Sequence, residues 1–284
     1  MYNISKMKKK KLALAIALSL SLGGGPVWAS VNYDADTKTK TIQGDESGRD
    51  FYGGQGEQGS GYTLEITGGT TTMDQIYGGI GEKEASSNTL RVTGDGAIQG
   101  ENVFGGSATY YEQKPFQQEG AKYNEVRFES TGKTDVKNIY GGYTRTGMIR
   151  DVNAGNATNN KVILTKGDIT VNCIYGGNTE AGEANQNSVL IEGNTKLEMG
   201  EKEYNTSITD RQIVGGSARD TANENQVIVR TITPIRGTMD RMMGGSGLYQ
   251  TNRNSVSLKD AKVEICDLLA GGGQWQYGFS GRNE

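Results

Sequence analysis

The chain contains no histidine, so the first chemistry to consider is the chemistry that can be done without one. Ser-His-Asp and Cys-His nucleophile systems and His-ligated zinc are excluded, and no side chain titrates near neutrality at its ordinary pKa. The two cysteines, Cys173 and Cys266, have neither His nor a local basic cluster to turn a thiol into a nucleophile. Carboxylates working with Lys and Arg suffice for polysaccharide lyases and hydrolases. Asp45 and Glu46 form such an acidic pair, but nothing in the sequence sets two carboxylates across a cleft. Gly54-x-Gly56-x-x-Gly59 matches a dinucleotide fingerprint only formally, because no amphipathic helix follows it. The segments GGQG, GGIG and GGSG, from Gly53, Gly78 and Gly244, lack the aspartate and the nine-residue period of calcium-binding repeats. The residues imply no cofactor and no metal. Recognition chemistry remains. One stretch offers Tyr110, Tyr111, Glu112, Phe116 and Tyr123, and a second offers Arg145, Arg150 and Asp151. Aromatic faces flanked by Arg and carboxylate groups are the common chemistry of glycan and protein recognition.

The elements that must position these residues are repeats. Two apolar or aromatic residues followed by Gly-Gly recur eight times, from Phe51-Tyr52-Gly53-Gly54 and Ile76-Tyr77-Gly78-Gly79 to Leu269-Ala270-Gly271-Gly272. Between the glycine pairs lies Asn-x-apolar-x-apolar, starting at Asn88, Asn124, Asn160, Asn187, Asn225 and Asn254, with Tyr62 in the Asn place of a seventh copy. The alternation puts both apolar side chains on one face of a short strand. A unit of this length cannot close a core alone and must stack on its neighbours. The predicted fold is all-β, a parallel β-helix (solenoid) of about eight coils in which like residues pile into ladders. The glycines read as turn residues, the asparagines as a corner ladder with Asn in the left-handed region, and Tyr52, Tyr77, Phe104, Tyr140 and Tyr175 as a buried stack.

Irregularities in the spacing mark the loops. From the second glycine to the next Asn the intervals are 9, 18, 18, 10, 9 and 9, so two neighbouring coils carry an extra nine residues at the same corner. Residues 107–123 and 143–159 should therefore stack into one protrusion, which would gather the aromatic and charged candidates into a binding surface. A third insertion, from Asn194, reads as a charged, solvated loop.

The N-terminus supplies an address. Lys6 and Lys8 to Lys11 precede an 11-residue apolar run, Leu12 to Leu22, then Gly23-Gly24-Gly25-Pro26 and Val27-Trp28-Ala29, the pattern of a secretory signal peptide cut after Ala29. No later apolar run approaches the length of about 18 needed to span a bilayer, so the mature chain should have no membrane helix. Without the leader, 25 basic residues face 33 acidic ones, a net charge of −8. Such a surface repels phosphate backbones and anionic lipid, which argues against nucleic acid and leaves surface glycans or proteins, of host or bacterium, as partners.

Ile-Tyr-Gly-Gly alternating with Asn-x-Val-x-Ile behind a lysine-rich signal peptide resembles the passenger region of bacterial autotransporter proteins, over about residues 45–275. The resemblance implies a right-handed, pectin-lyase-like β-helix exported through the periplasm to the cell surface by a C-terminal outer-membrane barrel. It also implies a role in adhesion or aggregation, or as a stalk. No alternating strands of barrel type follow Gly273, so a barrel is expected in cis if the chain is a fragment. The domain reading is a signal peptide at 1–29, a polar lead-in or cap at 30–44, the β-helix at 45–275 and a tail at 276–284. The chain is read as a non-enzyme, with a secreted β-helical polysaccharide lyase or hydrolase as the alternative.

The coil register makes a prediction about the thiols. Cys173 and Cys266 fall three coils apart, roughly 14 Å along the axis, beyond the separation of about 7 Å that a disulfide can bridge. Thiol titration of the exported, unreduced chain in denaturant should find both cysteines reduced. An intramolecular disulfide would break the register.

Overall fold

In the computed structural model, residues 29–109, 119–145, 155–200, 211–274 and 279–280 are described. They form 23 strands and no helix, joined in one sheet whose strand pairs are all parallel except one. Parallel neighbours need a long return connection. Here that connection is the rest of the coil, which itself consists of strands of the same sheet, so the chain winds as a parallel β-helix.

Three ladders line the interior. In the first, Ile42, Ile66, Val92, Phe128, Leu164, Ile191, Val229 and Leu258 occupy successive rungs in register. In the second, Met73, Ile98, Val136, Ile169, Val171, Leu197 and Met199 point into the same core. The third carries the residue before the aromatic position: Phe51, Ile76, Val103, Ile139, Ile174, Ile213, Met242 and Leu269. The period-2 alternation that predicted inward pairs is the cause, since every second side chain of a pleated strand faces the stack.

Residues 194–199, expected as the start of a solvated loop, are instead a strand of the second ladder. Thr195, Leu197 and Met199 are buried while Lys196 and Glu198 face out, and the segment pairs with residues 166–171. Its alternation of charged and apolar residues is the strand signal itself, hidden by the charge count. The part of that insertion at 201–210 lies outside the described residues.

The asparagines form the ladder expected of them. Asn88, Asn124, Asn160, Asn187, Asn225 and Asn254 have no exposed surface. The Oδ1 of Asn160 accepts from both the backbone N–H (3.0 Å) and the Nδ2 (2.9 Å) of Asn124, while the Nδ2 of Asn160 donates to Asn187 Oδ1 (3.0 Å) and to the Ala121 carbonyl (2.8 Å). The same pattern repeats at each rung from Asn88 to Asn254. The left-handed residue, however, is the one before each Asn rather than the Asn: Ser87, Tyr123, Asn159, Gln186, Glu224 and Arg253 have φ between 53° and 59°. That conformation costs a non-glycine residue roughly 1–2 kcal/mol, and it is the turn that aims the following amide into the stack.

The glycine pairs are likewise not turn glycines. From Gly78-Gly79 to Gly244-Gly245 they lie inside strands, and none of the pairs between Gly53 and Gly245 has positive φ. What they lack is room. A β-carbon on Gly142 would overlap the Asn160 side chain, and one on Gly141 would overlap the carbonyl of Gly176 in the next coil. The same collision, second glycine against ladder asparagine, recurs at Gly79, Gly106, Gly177, Gly216 and Gly245.

The two ends differ. Residues 30–44 contain a hairpin in which Ser30–Asp34 runs antiparallel to Thr39–Gln43, and the latter strand is the first rung of the first ladder. Lys40 takes the rung beneath Leu64; its Nζ donates to the Tyr52 carbonyl (3.1 Å) and sits 4.8 Å from the Phe51 ring centroid. Burial pulls its pKa down, and Glu46 acts in the opposite direction. At the other end Leu258 and Leu269, which end columns buried in every middle coil, are 39% and 50% exposed. Cys173 is a buried thiol, not half of a disulfide.

Replacing Asn160 by Ala leaves several buried groups without partners and should cost about 3 kcal/mol or more in urea unfolding. Gly142→Ala should cost about 2–3 kcal/mol by overpacking. At the exposed Gly56 a β-carbon meets nothing nearer than 3.9 Å, and Gly56→Ala should stay within about 0.5 kcal/mol of the parent.

Candidate functional site

The two long insertions leave the solenoid side by side. Ser107, Ala108 and Thr109 pair with Tyr143, Thr144 and Arg145 on the way out, and Gly120, Ala121 and Lys122 pair with Asn156, Ala157 and Thr158 on the way back. Both bases are therefore anchored in the ladder, one rung apart. Buried hydroxyls fasten them. Ser107 and Thr109 share a hydrogen bond of 2.9 Å, Thr144 Oγ1 accepts from the Ala121 N–H (3.2 Å), and Thr179 Oγ1 donates to the Gly155 carbonyl (3.1 Å).

Of the residues singled out in the sequence, Tyr110, Tyr111, Glu112, Phe116, Arg150 and Asp151 lie outside the described residues. Tyr123 is 61% exposed and takes the left-handed corner position (φ 59°) before Asn124, where its side chain is held off the core. Arg145 ends its strand, is exposed, and faces Glu180 of the next coil at 3.8 Å.

Two residues that sequence reasoning passed over stand at the same base. The Tyr143 hydroxyl donates to Glu180 Oε1 at 2.7 Å, and its ring leans on Tyr140 (centroids 5.1 Å apart, 45°) and Phe104 (5.5 Å, 39°). Glu180 thus receives both the Tyr143 hydroxyl and the Arg145 guanidinium. The signal was present in the alignment of repeats. In the columns after the glycine pair Tyr143 shares its place with Ser107, Asn178, Ser217 and Ser246, so a large ring there is out of character.

Behind Tyr143 runs the aromatic column. Tyr52, Tyr77, Phe104, Tyr140 and Tyr175 stack on successive rungs with centroids 4.7–5.2 Å apart and planes within 12° of parallel. Tyr77 and Phe104 are buried and the others half-buried. The spacing is that of the strands, because each ring rides on the rung that carries it. This geometry removes the column as a sugar platform. Stacking on a pyranose needs a ring face, and here each interior ring has both faces against its neighbours. Burial, then the nearby Cys173 and Glu180, pushes the Tyr140 phenol well above its ordinary range. Burial and then the Glu180 carboxylate do the same for Tyr143, and burial with Cys173 for Tyr175, whose hydroxyl accepts from Gln212 Nε2 (2.7 Å).

The acidic pair has a different setting. Asp45 and Glu46 line an open groove of about 390 Å³ with Ser47, Thr70, Thr72 and Gln99. Asp45 Oδ1 accepts the Thr70 N–H at 2.8 Å, which makes it a corner brace. The two carboxylates are chain neighbours rather than groups facing each other across the groove, the arrangement glycoside hydrolysis requires. Among the described residues no cluster of three or more Asp, Glu or Cys converges as a metal site would.

Fold and site together define a parallel β-helix repeat protein in which the bases of two insertions pair on adjacent rungs. No protein-family model, curated protein or solved structure matches the chain.

The phenols provide a direct check. A folded pKa raised above the unfolded one contributes stability that is fully present below the ordinary phenol pKa of about 10 and is lost as pH rises past it. In an ultraviolet titration Tyr140, Tyr143 and Tyr175 should ionise only after the exposed tyrosines and together with unfolding. Tyr143→Phe should remove the Glu180 hydrogen bond, costing about 1 kcal/mol, and leave the lag of Tyr140 and Tyr175 in place.

Proposed function

We propose that the chain is the β-helical passenger of an autotransporter-like protein, displayed at the cell surface, where the paired insertions at 107–123 and 143–159 bind a glycan or protein partner in adhesion or aggregation. The observation that carries this reading is the register of the two insertion bases, Ser107–Thr109 on residues 143–145 and Gly120–Lys122 on Asn156–Thr158. Insertions of equal extra length at the same corner of adjacent rungs enlarge one place on the surface, and loops held on a rigid scaffold are where binding residues concentrate. The lysine-rich leader supports export. The acidic mature composition supports a partner other than nucleic acid.

The protrusion is assigned its chemistry by its side chains. Tyr110, Tyr111, Phe116 and the exposed Tyr123 supply aromatic area, while Arg145, Arg150, Glu112 and Asp151 supply charge of both signs. Such a surface binds through buried aromatic anchors with a polar rim.

The test is a surface-display experiment on cells carrying the chain, scored by cell–cell aggregation and by attachment to glycan and protein arrays. Tyr110, Tyr111 and Phe116 replaced together by Ala should abolish attachment while thermal unfolding stays unchanged. Undiminished attachment would refute the reading, and release of new reducing or unsaturated sugar ends from a polysaccharide would replace it by the enzymatic one.

A further inference from the structure

The N-terminal end of the solenoid carries one strand unlike every other. Ser30–Asp34 is the only antiparallel member of the sheet among the described residues, and it pairs with Thr39–Gln43 alone. All five of its residues are exposed. Its pairing runs through five consecutive residues without a bulge, so its outer edge is a straight row of backbone donors and acceptors. Edge strands that must stay single are guarded by lysine, proline, a bulge or a covering loop. SVNYD has no lysine, proline or bulge, and Val31 and Tyr33 are instead 43% and 56% exposed.

We propose that this strand is a self-recognition edge that joins two copies of the chain head to head, by antiparallel pairing centred on Asn32. The sequence suits a two-fold axis at that residue. Val31 of one copy then faces Tyr33 of the other, an aliphatic–aromatic cross-strand pair made twice. Ser30 faces Asp34, so the strand's one charged side chain never meets its own image. Pairing centred elsewhere shortens the shared strand and splits the Val31–Tyr33 pairs. The inward Lys40 closes the core behind the hairpin, which leaves the rim strand, not the coil interior, as the contact. An isologous contact of this kind closes on itself, giving dimers and no filament. The inference does not depend on the insertions or their ligand.

The experiment uses the exported, purified chain in sedimentation velocity between about 1 and about 200 µM, the range in which so small an edge contact dissociates. The chain should pass from monomer to dimer and no further. Val31→Lys with Tyr33→Lys sets like charges opposite each other and should weaken the dimer by about tenfold or more. Their exposure keeps that variant folded, as circular dichroism would show. In a Cys266→Ser background, Asn32→Cys should give a disulfide-linked dimer under mild oxidation, because residue 32 faces its own copy. Tyr123→Cys, on an exposed corner away from the end, should not. A monomer at every concentration, a dimer indifferent to the two lysines, or an Asn32→Cys variant that fails to cross-link would each overturn the proposal.

Discussion

The contact between a buried asparagine and a glycine without a side chain is the constraint on which this structure depends. The amide stack needs continuous space along one corner, and each second glycine of a pair provides it by having no β-carbon to put there. In return each amide satisfies the backbone at the corner of the preceding coil, donating to Ala85, Ala121, Ala157, Ala184 and Ala222 on successive rungs. A buried polar column is costly unless every member is satisfied. Here the satisfaction is reciprocal between coils, so an isolated coil has no stable corner. Coil stacking and corner formation are therefore one event, the physical meaning of a repeat that cannot fold alone.

Much of this was legible because period and chemistry agreed. Inward pairs such as Leu90/Val92 and Val162/Leu164 alternate cleanly, and the Asn spacing places them on one face. Two features escaped for physical reasons. Glycine pairs resemble turn signals because flexibility is glycine's commoner use, whereas here its value is steric, and only the neighbouring amide reveals that. The strand at 194–199 was obscured because charged residues occupy its outward face, and a tally of charge does not see which side of a strand they are on. Tyr143 and Glu180 were missed for a third reason: their meeting joins residues from two coils, and pairing across rungs becomes visible only once the register is set. The rest of the insertions carries no repeat to align, so their chemistry can be read from composition but not their shape.

Scaffold and variable parts divide the molecule unevenly. The corner turned by the Asn ladder admits Ser, Tyr, Asn, Gln, Glu and Arg at its left-handed position without altering the rung. The corner that precedes it accommodates insertions of nine residues while the ladder closes beneath them. Loop closure costs little for added length, and buried hydroxyl groups of Ser107, Thr109, Thr144 and Thr179 hold the bases in the ladder.

The direction of the hydrogen bonds has a mechanical consequence. In this solenoid the inter-strand bonds, the amide stack and the aromatic stack all point along the axis, from rung to rung. A pull applied between the two ends loads them in line and in sequence rather than side by side, so the rod should yield one coil at a time from its ends. Where the ladder step is 36 residues, each release lengthens the chain by about 120 Å at full extension. Such a rod gives under tension in discrete steps, while the untouched coils stay in register and can take the released length back.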